Sequence, residues 1–321
     1  MDNSDDHPVL PPAVILAGPT AAGKTAIALA LAERFPVDLI SVDSTQVYRG
    51  LDIGSAKVDA ATRQRFPHAL IDVCEPEQAY SAADFERDCR ACMEQSARNK
   101  RLPLLVGGTM MWLRALIYGL DRLPGADPEV RRQIARQAES SGWAALHAEL
   151  ARIDSQAAAS ISVNDPQRIQ RAIEIVRLTG KGPSCFHRHN RLPRLVTLRL
   201  VLTPTDRHVL HQRIGIRLDQ MLEAGFLDEV SALRRRRALS VSSPSMRSVG
   251  YRQAWQYLDG RLDRQAFVDR ARSATRQLAK RQLTALRQFS GALWYDPGRS
   301  LTIKRIFNQV ERFSRQRGRL G

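Results

Sequence analysis

Residues 18–25 of this 321-residue chain read Gly-Pro-Thr-Ala-Ala-Gly-Lys-Thr, which matches the phosphate-loop pattern G-x-x-x-x-G-K-[ST]. The motif follows the apolar run Ala13 to Ala17 and precedes the helical pattern Ala26 to Phe35. In such a loop the backbone N–H groups surround phosphate oxygens, the lysine adds a positive charge, and the threonine hydroxyl can bind Mg²⁺. The positive N-terminal end of the following helix points at the same anion. The sequence therefore predicts a phosphate site on a strand-to-helix turn, without specifying which phosphate it holds.

Short apolar strands alternate with helical patterns through the first 120 residues. The predicted strands are residues 13–17, 38–42, 69–73 and 101–106, and the predicted helices are residues 24–35, 81–99 and 110–119. Strands that alternate with helices form a parallel sheet, whose ligands bind at the carboxyl ends of the strands. Three segments should therefore meet in one crevice: residues 18–25, Asp43 to Gln46, and Gly107 to Thr109.

The pattern becomes purely helical between about residues 119 and 194. Asp127-Pro128 and Asp165-Pro166 each open a helix, and Thr179-Gly180 closes the second one. Leu195 to Leu202 then reads as a strand, and residues 205–315 read as helical. An all-helical insertion between two sheet segments is the simplest topology. We therefore predict an α/β fold with a P-loop NTPase-like parallel sheet flanked by helices, formed by residues 1–118 and 195–321, and a helical insertion domain of residues 119–194.

The net charge of +16 is concentrated in the second part of the chain. Residues 1–120 contain 12 Lys and Arg against 15 Asp and Glu, whereas residues 121–321 contain 37 against 18. Clustered basic residues gain affinity for a phosphate backbone by releasing its counterions, so the asymmetry favours a polyanionic partner; a solvated basic surface is the alternative. No run of 18 apolar residues is present and the start Met1 to Asp6 is acidic, so we expect a cytoplasmic protein without a membrane partner.

One helical pattern in the basic part places four cations on the same face. At about 100° per residue, Arg272, Arg276, Lys280 and Arg287 fall within about 80° of one another. Like charges at this spacing repel, so a merely solvated face is the less attractive interpretation. We call these four residues the basic stripe and expect it to contact a nucleic-acid backbone.

Two aromatic residues lie close in sequence to further arginines. Tyr251 and Trp255 are neighbours of Arg247 and Arg252. This mixture is typical of surfaces that stack on unpaired bases, and it is equally typical of aromatic residues in a core. The sequence leaves both interpretations open.

Asp43 and Thr109 are the candidates for chemistry beside the phosphate loop. A carboxylate at the end of a neighbouring strand can hold Mg²⁺, act as a base on a bound nucleophile, or merely cap a turn. Thr109 follows two glycines, where an ATPase would usually carry an acid, and its hydroxyl either reaches the crevice or caps a helix. The missing acid weakens the interpretation as an ATPase.

A series of motifs in fixed order resembles one family, the bacterial tRNA dimethylallyltransferases. The segments that carry the resemblance span about residues 12 to 295, and they are residues 18–25, Ile40 to Ser44, Tyr48 to Gly54, Gln78 to Phe85, Val106 to Thr109, Asn164 to Arg168, Val249 to Gln253 and Thr275 to Gln282. Ala285 departs from the family, whose members often carry a tryptophan there. The departure puts in doubt one stacking contact and leaves the reaction unaffected.

The resemblance implies a reaction and its site residues. Members transfer a dimethylallyl group from dimethylallyl diphosphate to N6 of the adenosine 3′ of the anticodon, position 37, in tRNAs that read codons beginning with U. Asp43 would be the general base, and Thr109 and Arg217 would position and neutralise the diphosphate. Thr25 would hold Mg²⁺. The diphosphate itself would be bound by Gly18, Pro19, Thr20, Ala21, Ala22, Gly23, Lys24 and Thr25.

The same resemblance implies a monomer that binds the tRNA anticodon stem-loop, partly through the insertion domain. The implied tRNA contacts are Asp43, Ser44, Thr45, Gln46, Thr109, Arg131, Gln167, Arg168, Ile169, Gln170, Arg171, Arg247, Ser248, Val249, Gly250, Tyr251, Arg252, Arg276, Lys280, Arg281, Gln282 and Arg287.

Two other classes of protein fit parts of the sequence. An ATP-binding small-molecule kinase would use the phosphate loop as a nucleotide site, but it leaves the charge of residues 121–321 unexplained. A noncatalytic RNA-binding protein or ATP-driven RNA remodeller would explain that charge and leave Asp43 and Thr109 without a task. The kinase would consume nucleoside triphosphate, and nucleoside analysis of tRNA from cells that lack the gene would distinguish all three classes.

Overall fold

A computed structural model describes residues 10–121, 123–186 and 192–317. Its six strands are β1 (Ala13–Ala17), β2 (Val37–Val42), β3 (His68–Ala69), β4 (Leu102–Gly107), β5 (Thr197–Leu202) and β6 (Leu293–Tyr295). They form one sheet in the order β3-β2-β4-β1-β5-β6, and each neighbouring pair is parallel. The predicted α/β class with a parallel sheet is confirmed.

The register of the central strands brings their carboxyl ends to the same level. Gly107 of β4 lies opposite both Ala17 of β1 and Val42 of β2. The loops that follow these three strands therefore begin side by side at one edge of the sheet. This register is what gathers the three segments that the sequence predicts to meet.

The predicted strand 69–73 is wrong beyond Ala69. Leu70 and Asp72 have φ angles of 63° and 57°, in the left-handed region that an extended strand cannot contain. Asp72 instead accepts charge-assisted hydrogen bonds from Lys57 and Arg63, with N–O distances of 2.6 and 2.5 Å. The chain therefore turns away from the sheet after two strand residues.

The expectation that residues 205–315 are helical overlooks a strand. Residues 293–295 form β6, an edge strand that pairs with Leu200, Val201 and Leu202 of β5. The strand is only three residues long, and Leu293 and Trp294 are exposed, so it lacks the apolar alternation by which strands are recognised.

Four helices lie between β1 and residue 118. They are α1 (Lys24–Arg34), α2 (Ala60–Arg65), α3 (Ala82–Arg98) and α4 (Met110–Tyr118). A capping box begins α3, because the Ser81 hydroxyl accepts from the Asp84 N–H at 3.1 Å and the Asp84 carboxylate accepts from the Ser81 N–H at 3.0 Å.

The chain divides into two compact units, Met1–Tyr118 together with Pro193–Gly321, and Gly119–Leu192. The second unit contains α5 (Pro128–Ser141), α6 (Trp143–Ile153), α7 (Ser155–Ser160) and α8 (Pro166–Thr179). Asp127 and Asp165 cap α5 and α8, each followed by a proline at the first helical position, and Gly180 ends α8 with φ 68°. These starts and stops agree with the sequence prediction. A small apolar core that includes Ile134, Leu146 and Ile173 holds the helices together.

The remaining helices of the first unit are α9 (Arg207–Glu223), α10 (Phe226–Arg234), α11 (Tyr251–Leu258), α12 (Arg264–Arg287) and α13 (Thr302–Arg317). Both faces of the sheet are covered, since Ile15 belongs to one apolar core while its neighbours Val14 and Leu16 belong to another. None of the described helices is long and apolar enough to cross a membrane.

Candidate active site

A crevice of about 430 Å³ lies at the carboxyl ends of β1, β2 and β4 in the first unit. The loops after these strands contribute residues 20–25, 43–46 and 107–109 to its lining. Helices α9 and α12 supply much of the opposite lining, including Arg217 and Gln282. The structure thus places the phosphate loop, Asp43, Thr109 and Arg217 around one space, although they are far apart in sequence.

The phosphate loop ends in a left-handed turn at Gly23, whose φ is 86°, immediately before α1. Such a turn favours glycine, which has no Cβ to clash. In the structure the Lys24 ammonium donates to the carbonyls of Gly18 and Pro19 at 3.0 and 2.8 Å. The lysine is therefore held over the loop whose amides would surround a phosphate.

A glutamine from α12 joins the phosphate loop to the end of β4. The Thr20 N–H donates to Oε1 of Gln282 at 3.0 Å, and Nε2 of Gln282 donates to the Gly108 carbonyl at 3.1 Å. A side chain at Gly108 would collide with Gln282 and with the Gly18 carbonyl. Glycine at position 108 is thus required by close approach, and this approach fixes the distance between two walls of the crevice.

Asp43 uses one of its carboxylate oxygens to form the turn after β2. Its Oδ1 accepts from the N–H groups of Thr45 and Gln46 at 2.9 and 3.4 Å, whereas Oδ2 has no hydrogen-bond partner within the described residues. Thr109 supports the same turn, because its Oγ1 accepts from the Ser44 N–H at 3.1 Å. Asp43 therefore caps the turn with Oδ1 and still has Oδ2 free.

Two partly buried cations of the crevice, Lys24 and Arg217, form no ion pair with any carboxylate in the described part of the chain. Burial lowers the pKa of Lys24 to about 8, an effect that the charge of Asp43 opposes and the charge of Arg217 reinforces. Burial also lowers the pKa of Arg217, against the opposing effect of Asp43. Cations that are desolvated and lack a salt bridge are arranged to receive an anionic ligand.

The residues available for a metal are oxygen donors. Within the described residues, the Thr25 hydroxyl has no hydrogen-bond partner, and neither has Oδ2 of Asp43. No group of three or more His, Cys, Asp or Glu that could hold a metal occurs in the described ranges. This donor set fits Mg²⁺, which keeps several waters and is bound through few protein oxygens together with substrate phosphates.

An apolar wall of the crevice was not anticipated from the sequence. It is formed mainly by Met110, Met111, Ile214, Leu218, Met221, Phe226, Leu278 and Ala285. Ile214, Leu218 and Met221 follow helical spacing, which reads equally well as the buried face of an ordinary amphipathic helix. Their role is visible only once α9 is placed opposite the phosphate loop.

Glu229 of α10 fixes a loop that forms another part of the lining. Its carboxylate accepts from the N–H groups of Asp52, Ile53 and Gly54 at 2.9, 2.6 and 3.2 Å, and from the Tyr251 hydroxyl at 2.7 Å. Residues 54–56 then line the crevice. Sequence reasoning missed Glu229, because a single acid on a helix carries no signal of four partners elsewhere in the chain.

The interpretation of Tyr251 and Trp255 as base-stacking residues is wrong, and the alternative of core aromatics is confirmed. Tyr251 is fully buried and packs edge-on against Phe226, with ring centroids 5.2 Å apart. Trp255 is also buried, beneath the Arg234 guanidinium. Tyr251 therefore cannot offer its ring to RNA, although the family resemblance implies a tRNA contact at this residue.

Several other implied tRNA contacts of the first unit are accessible. Arg247 and Arg252 are exposed, and the Thr45 hydroxyl donates to Oγ of Ser248 at 3.3 Å, so the segment 247–252 adjoins the turn after Asp43. Val249, Gly250 and Arg281 line the crevice itself.

The basic stripe lies on α12 as predicted, with one correction. Arg272 forms a two-oxygen ion pair with Asp219 at 2.8 and 2.9 Å, so it is not a free cation. Arg276, Lys280 and Arg287 are exposed and form no salt bridge within the described residues. The stripe therefore consists of three available cations rather than four.

In the second unit, the two implied contacts Arg131 and Arg171 share one buried partner. Glu174 is fully buried and accepts from Arg131 at 2.8 Å, from Arg171 at 2.6 Å and from the Asp127 N–H at 2.8 Å. Burial raises the pKa of Glu174, but these hydrogen bonds outweigh it and lower the pKa below its usual value. Both arginines thus have a structural task.

The other implied contacts on α8 differ in accessibility. Gln167 and Arg168 are exposed on its first turn. Gln170 is half-buried and donates to the Arg131 carbonyl at 3.2 Å. Ile169 is fully buried in the apolar core of its unit, so its side chain is not accessible to tRNA.

Comparisons with known proteins agree with this arrangement. A family model described as IPP transferase matches residues 46–289, and one described as isopentenyl transferase matches residues 12–71. The chain is 54% identical over 290 residues to a tRNA dimethylallyltransferase of Thiobacillus denitrificans, covering 89% of this chain and 92% of the relative. A crystal structure of the tRNA isopentenylpyrophosphate transferase of Bacillus halodurans superimposes with a TM-score of 0.70 at 35% identity, covering 96% and 98% of the two chains. A eukaryotic dimethylallyltransferase acting on tRNA gives a TM-score of 0.71 at 27% identity, covering 88% of this chain and 73% of that one.

Proposed function

Because this chain belongs to the IPP transferase family, we propose that it is a tRNA dimethylallyltransferase that prenylates an adenosine of tRNA. The donor is dimethylallyl diphosphate, and the acceptor is N6 of the adenosine 3′ of the anticodon, position 37, in tRNAs that read codons beginning with U. The products are N6-isopentenyladenosine and pyrophosphate. One observation carries the proposal: a phosphate loop, two cations without salt bridges, a carboxylate with a free oxygen and an apolar wall surround the same crevice.

The division of the crevice into polar and apolar parts matches the two ends of the donor. The loop amides and Lys24 bind the diphosphate, in the manner of other phosphate loops. The five-carbon allyl chain lies against Ile214, Leu218 and Met221, because an apolar chain gains free energy by leaving water. A nucleotide would instead require polar partners for its base and ribose, which this wall does not supply.

The transfer forms a C–N bond as the C–O bond to the diphosphate breaks. An exocyclic adenine amine is a weak nucleophile, so the leaving group must be stabilised: Lys24 and Arg217 bear the positive charge that balances the departing pyrophosphate. Oδ2 of Asp43 accepts the proton that the amine loses. Thr109 holds the turn that carries Asp43, and it lines the same crevice as the phosphate loop.

Mg²⁺ is the proposed metal, with Thr25 as its protein ligand. When bound, it would neutralise part of the diphosphate charge. The free hydroxyl of Thr25 and the scarcity of carboxylates around it support a metal shared mainly with substrate and water.

The tRNA anticodon stem-loop is the proposed macromolecular partner of a monomeric enzyme. The exposed arginines Arg247 and Arg252 and the three available cations of the basic stripe supply backbone contacts on the first unit. On the second unit, Gln167 and Arg168 are the accessible candidates. The target base must leave the stacked loop to reach the crevice, as in other enzymes that modify bases.

Incubation with labelled dimethylallyl diphosphate, Mg²⁺ and undermodified tRNA tests the proposal. Label should enter the RNA, and a tRNA with guanosine at the target position should stay unlabelled. Absence of transfer would contradict the proposal. Consumption of nucleoside triphosphate would support the kinase or remodelling alternatives, and tRNA binding without any chemistry would support a noncatalytic RNA-binding protein.

A further inference from the structure

A second crevice, of about 470 Å³, lies in the first unit at the carboxyl ends of β5 and β6. Its lining includes Thr203 to Thr205 after β5 and Asp296 after β6. Ligand sites of parallel sheets lie outside the carboxyl ends of the strands, and the reaction proposed above uses only those of β1, β2 and β4. The ends of β5 and β6 thus form a separate candidate site.

The lining of the second crevice is strongly basic. Four arginines contribute to it: Arg207 from α9, Arg287 from α12, Arg299 from the loop after β6 and Arg305 from α13. Within the described residues, none of the four guanidiniums forms a salt bridge or a hydrogen bond. All four are exposed, and an anion that accepts from several guanidiniums would offset the repulsion between their like charges, so the cluster is suited to phosphate.

The one acid of this lining does not neutralise the arginines through direct contact. Asp296 uses Oδ2 to accept from the Thr205 N–H at 2.7 Å and Oδ1 to accept from the Gly298 N–H at 2.8 Å. Its carboxylate therefore ties the loop after β5 to the loop after β6. This bracing gives the site a fixed shape.

Two aromatic residues of β6 adjoin the arginines. Trp294 and Tyr295 both line the crevice, and Trp294 is 44% exposed although it is large and apolar. An exposed tryptophan beside several guanidiniums can stack on a nucleobase while the cations bind the attached phosphate. Inorganic phosphate alone would leave that ring in water.

An apolar partition separates the second crevice from the first. Leu210 and Leu283 line the second, Ile214 lines the first, and all three belong to one small cluster packed between α9 and α12. The two spaces thus share a wall without sharing ligand-binding residues, so they can be filled independently.

We propose that the second crevice binds a phosphate-bearing nucleotide, with Arg299 and Arg305 on the phosphate and Trp294 against the base. The nucleotide is either a free mononucleotide or one residue of an RNA strand, since both present the same chemistry. The proposal concerns binding only. If the protein fails to transfer a prenyl group, the binding proposal is unaffected. If it transfers the prenyl group but binds no nucleotide in the second crevice, only the binding proposal is overturned.

The test uses the full-length protein and a double variant, Arg299→Ala with Arg305→Ala. A fluorescently labelled adenosine triphosphate is the free-nucleotide probe, measured also in Lys24→Ala so that the phosphate loop does not contribute. A tRNA probe is titrated at several salt concentrations. The matched control is Arg235→Ala with Arg237→Ala, which removes the same charge from exposed arginines outside both crevices. Equal melting temperatures of the two double variants show that the fold is kept.

Two outcomes support the proposal and identify the source of the nucleotide. Loss of mononucleotide binding by about 10-fold or more in the pocket variant, but not in the control, assigns a free nucleotide. The ligand is assigned as an RNA residue if mononucleotide binding is unchanged while tRNA binds about 10-fold more weakly and its salt slope falls by about 1 to 2. In that case tRNA should also quench the fluorescence of Trp294, and the quenching should be lost in Trp294→Phe. If the pocket variant and the control behave alike with both probes, the proposal is overturned.

Discussion

The two units use the same pair of residue types, a carboxylate and arginines, in opposite ways. In the second unit, Glu174 has its two oxygens occupied by Arg131, Arg171 and a backbone N–H, and it is fully buried. In the crevice of the first unit, one carboxylate oxygen of Asp43 has no hydrogen-bond partner within the described residues. Arg217 interacts electrostatically with Asp43 but forms no salt bridge with it.

The contrast shows that charge counted along a sequence does not measure charge available to a ligand. A buried carboxylate whose partners are complete stabilises a fold, and its arginines are no longer free to bind. A carboxylate and an arginine held apart in a crevice cost stability and retain their capacity to react. The arginines of residues 121–321 include both kinds, those with a structural carboxylate partner and those available to a ligand.

Asp43→Asn should give the largest loss of turnover among these variants. A small loss would contradict the contrast between a reactive Asp43 and a structural Glu174. Loss of the base should reduce kcat by roughly 1,000-fold, while tRNA affinity and melting temperature stay close to wild type. Single-turnover transfer of labelled prenyl group measures the rate. The matched variant Glu174→Gln should show the reverse pattern, and equal losses of turnover in both variants would mean that Asp43 acts structurally.

Arg217→Gln should reduce turnover by about 100-fold, because the developing pyrophosphate charge loses one partner. Melting temperature should stay the same or rise, since the variant removes a desolvated cation that has no salt bridge. Arg131→Gln is the matched control, with an intact crevice. A similar loss of turnover in the control would show that the two arginines are not distinguished by their partners.

Glu174→Gln should lower the free energy of unfolding by roughly 2 kcal/mol at pH 7, measured by denaturant titration. The value lies below that for a fully buried ion pair because both arginines are partly exposed. The pKa of Glu174 is lowered in the folded state, so its contribution is present above its ordinary value of 4.5 and is lost as pH falls through the folded pKa. The difference between wild type and variant should therefore shrink below pH 4.5, and a constant difference would contradict the ionic role.

The smallest effect is expected for the pH dependence of diphosphate binding. Since the pKa of Lys24 is about 8, its ammonium loses its proton as pH rises from 7 to 9. Affinity for inorganic pyrophosphate, measured by calorimetry, should fall by up to about 10-fold over this range. Lys24→Arg keeps its charge and should show a flatter profile. A steeper fall in that variant would assign the titration to another group.

The fold near the phosphate loop was predictable because each signal there is local. The apolar run before Gly18, the glycine at position 23 and the capping box at Ser81 are read within a few residues. The strand expected at 69–73 failed because left-handed residues such as Leu70 and Asp72 leave no mark in the apolar pattern. The edge strand 293–295 was too short and too exposed to be recognised.

The site was predictable where a motif carried it and unpredictable where it depended on distant partners. Whether Tyr251 faces RNA or the core is decided by Phe226 and Glu229, on a different helix. Arg272 left the basic stripe because Asp219 of α9 lies opposite. Such pairings between residues of different helices form only when the helices pack together. The periodicity of one helix therefore cannot predict them.

The position of Gln282 restricts insertions and deletions in α12. Its amide reaches two loops from one position on α12, and each inserted or deleted residue would rotate it by about 100° and shift it by about 1.5 Å along the axis. The same rotation would carry Arg276 and Lys280 away from the outer face of the helix. Length variation should therefore be tolerated before Asp263 or after Gln288, where α12 ends, and rejected within the helix itself.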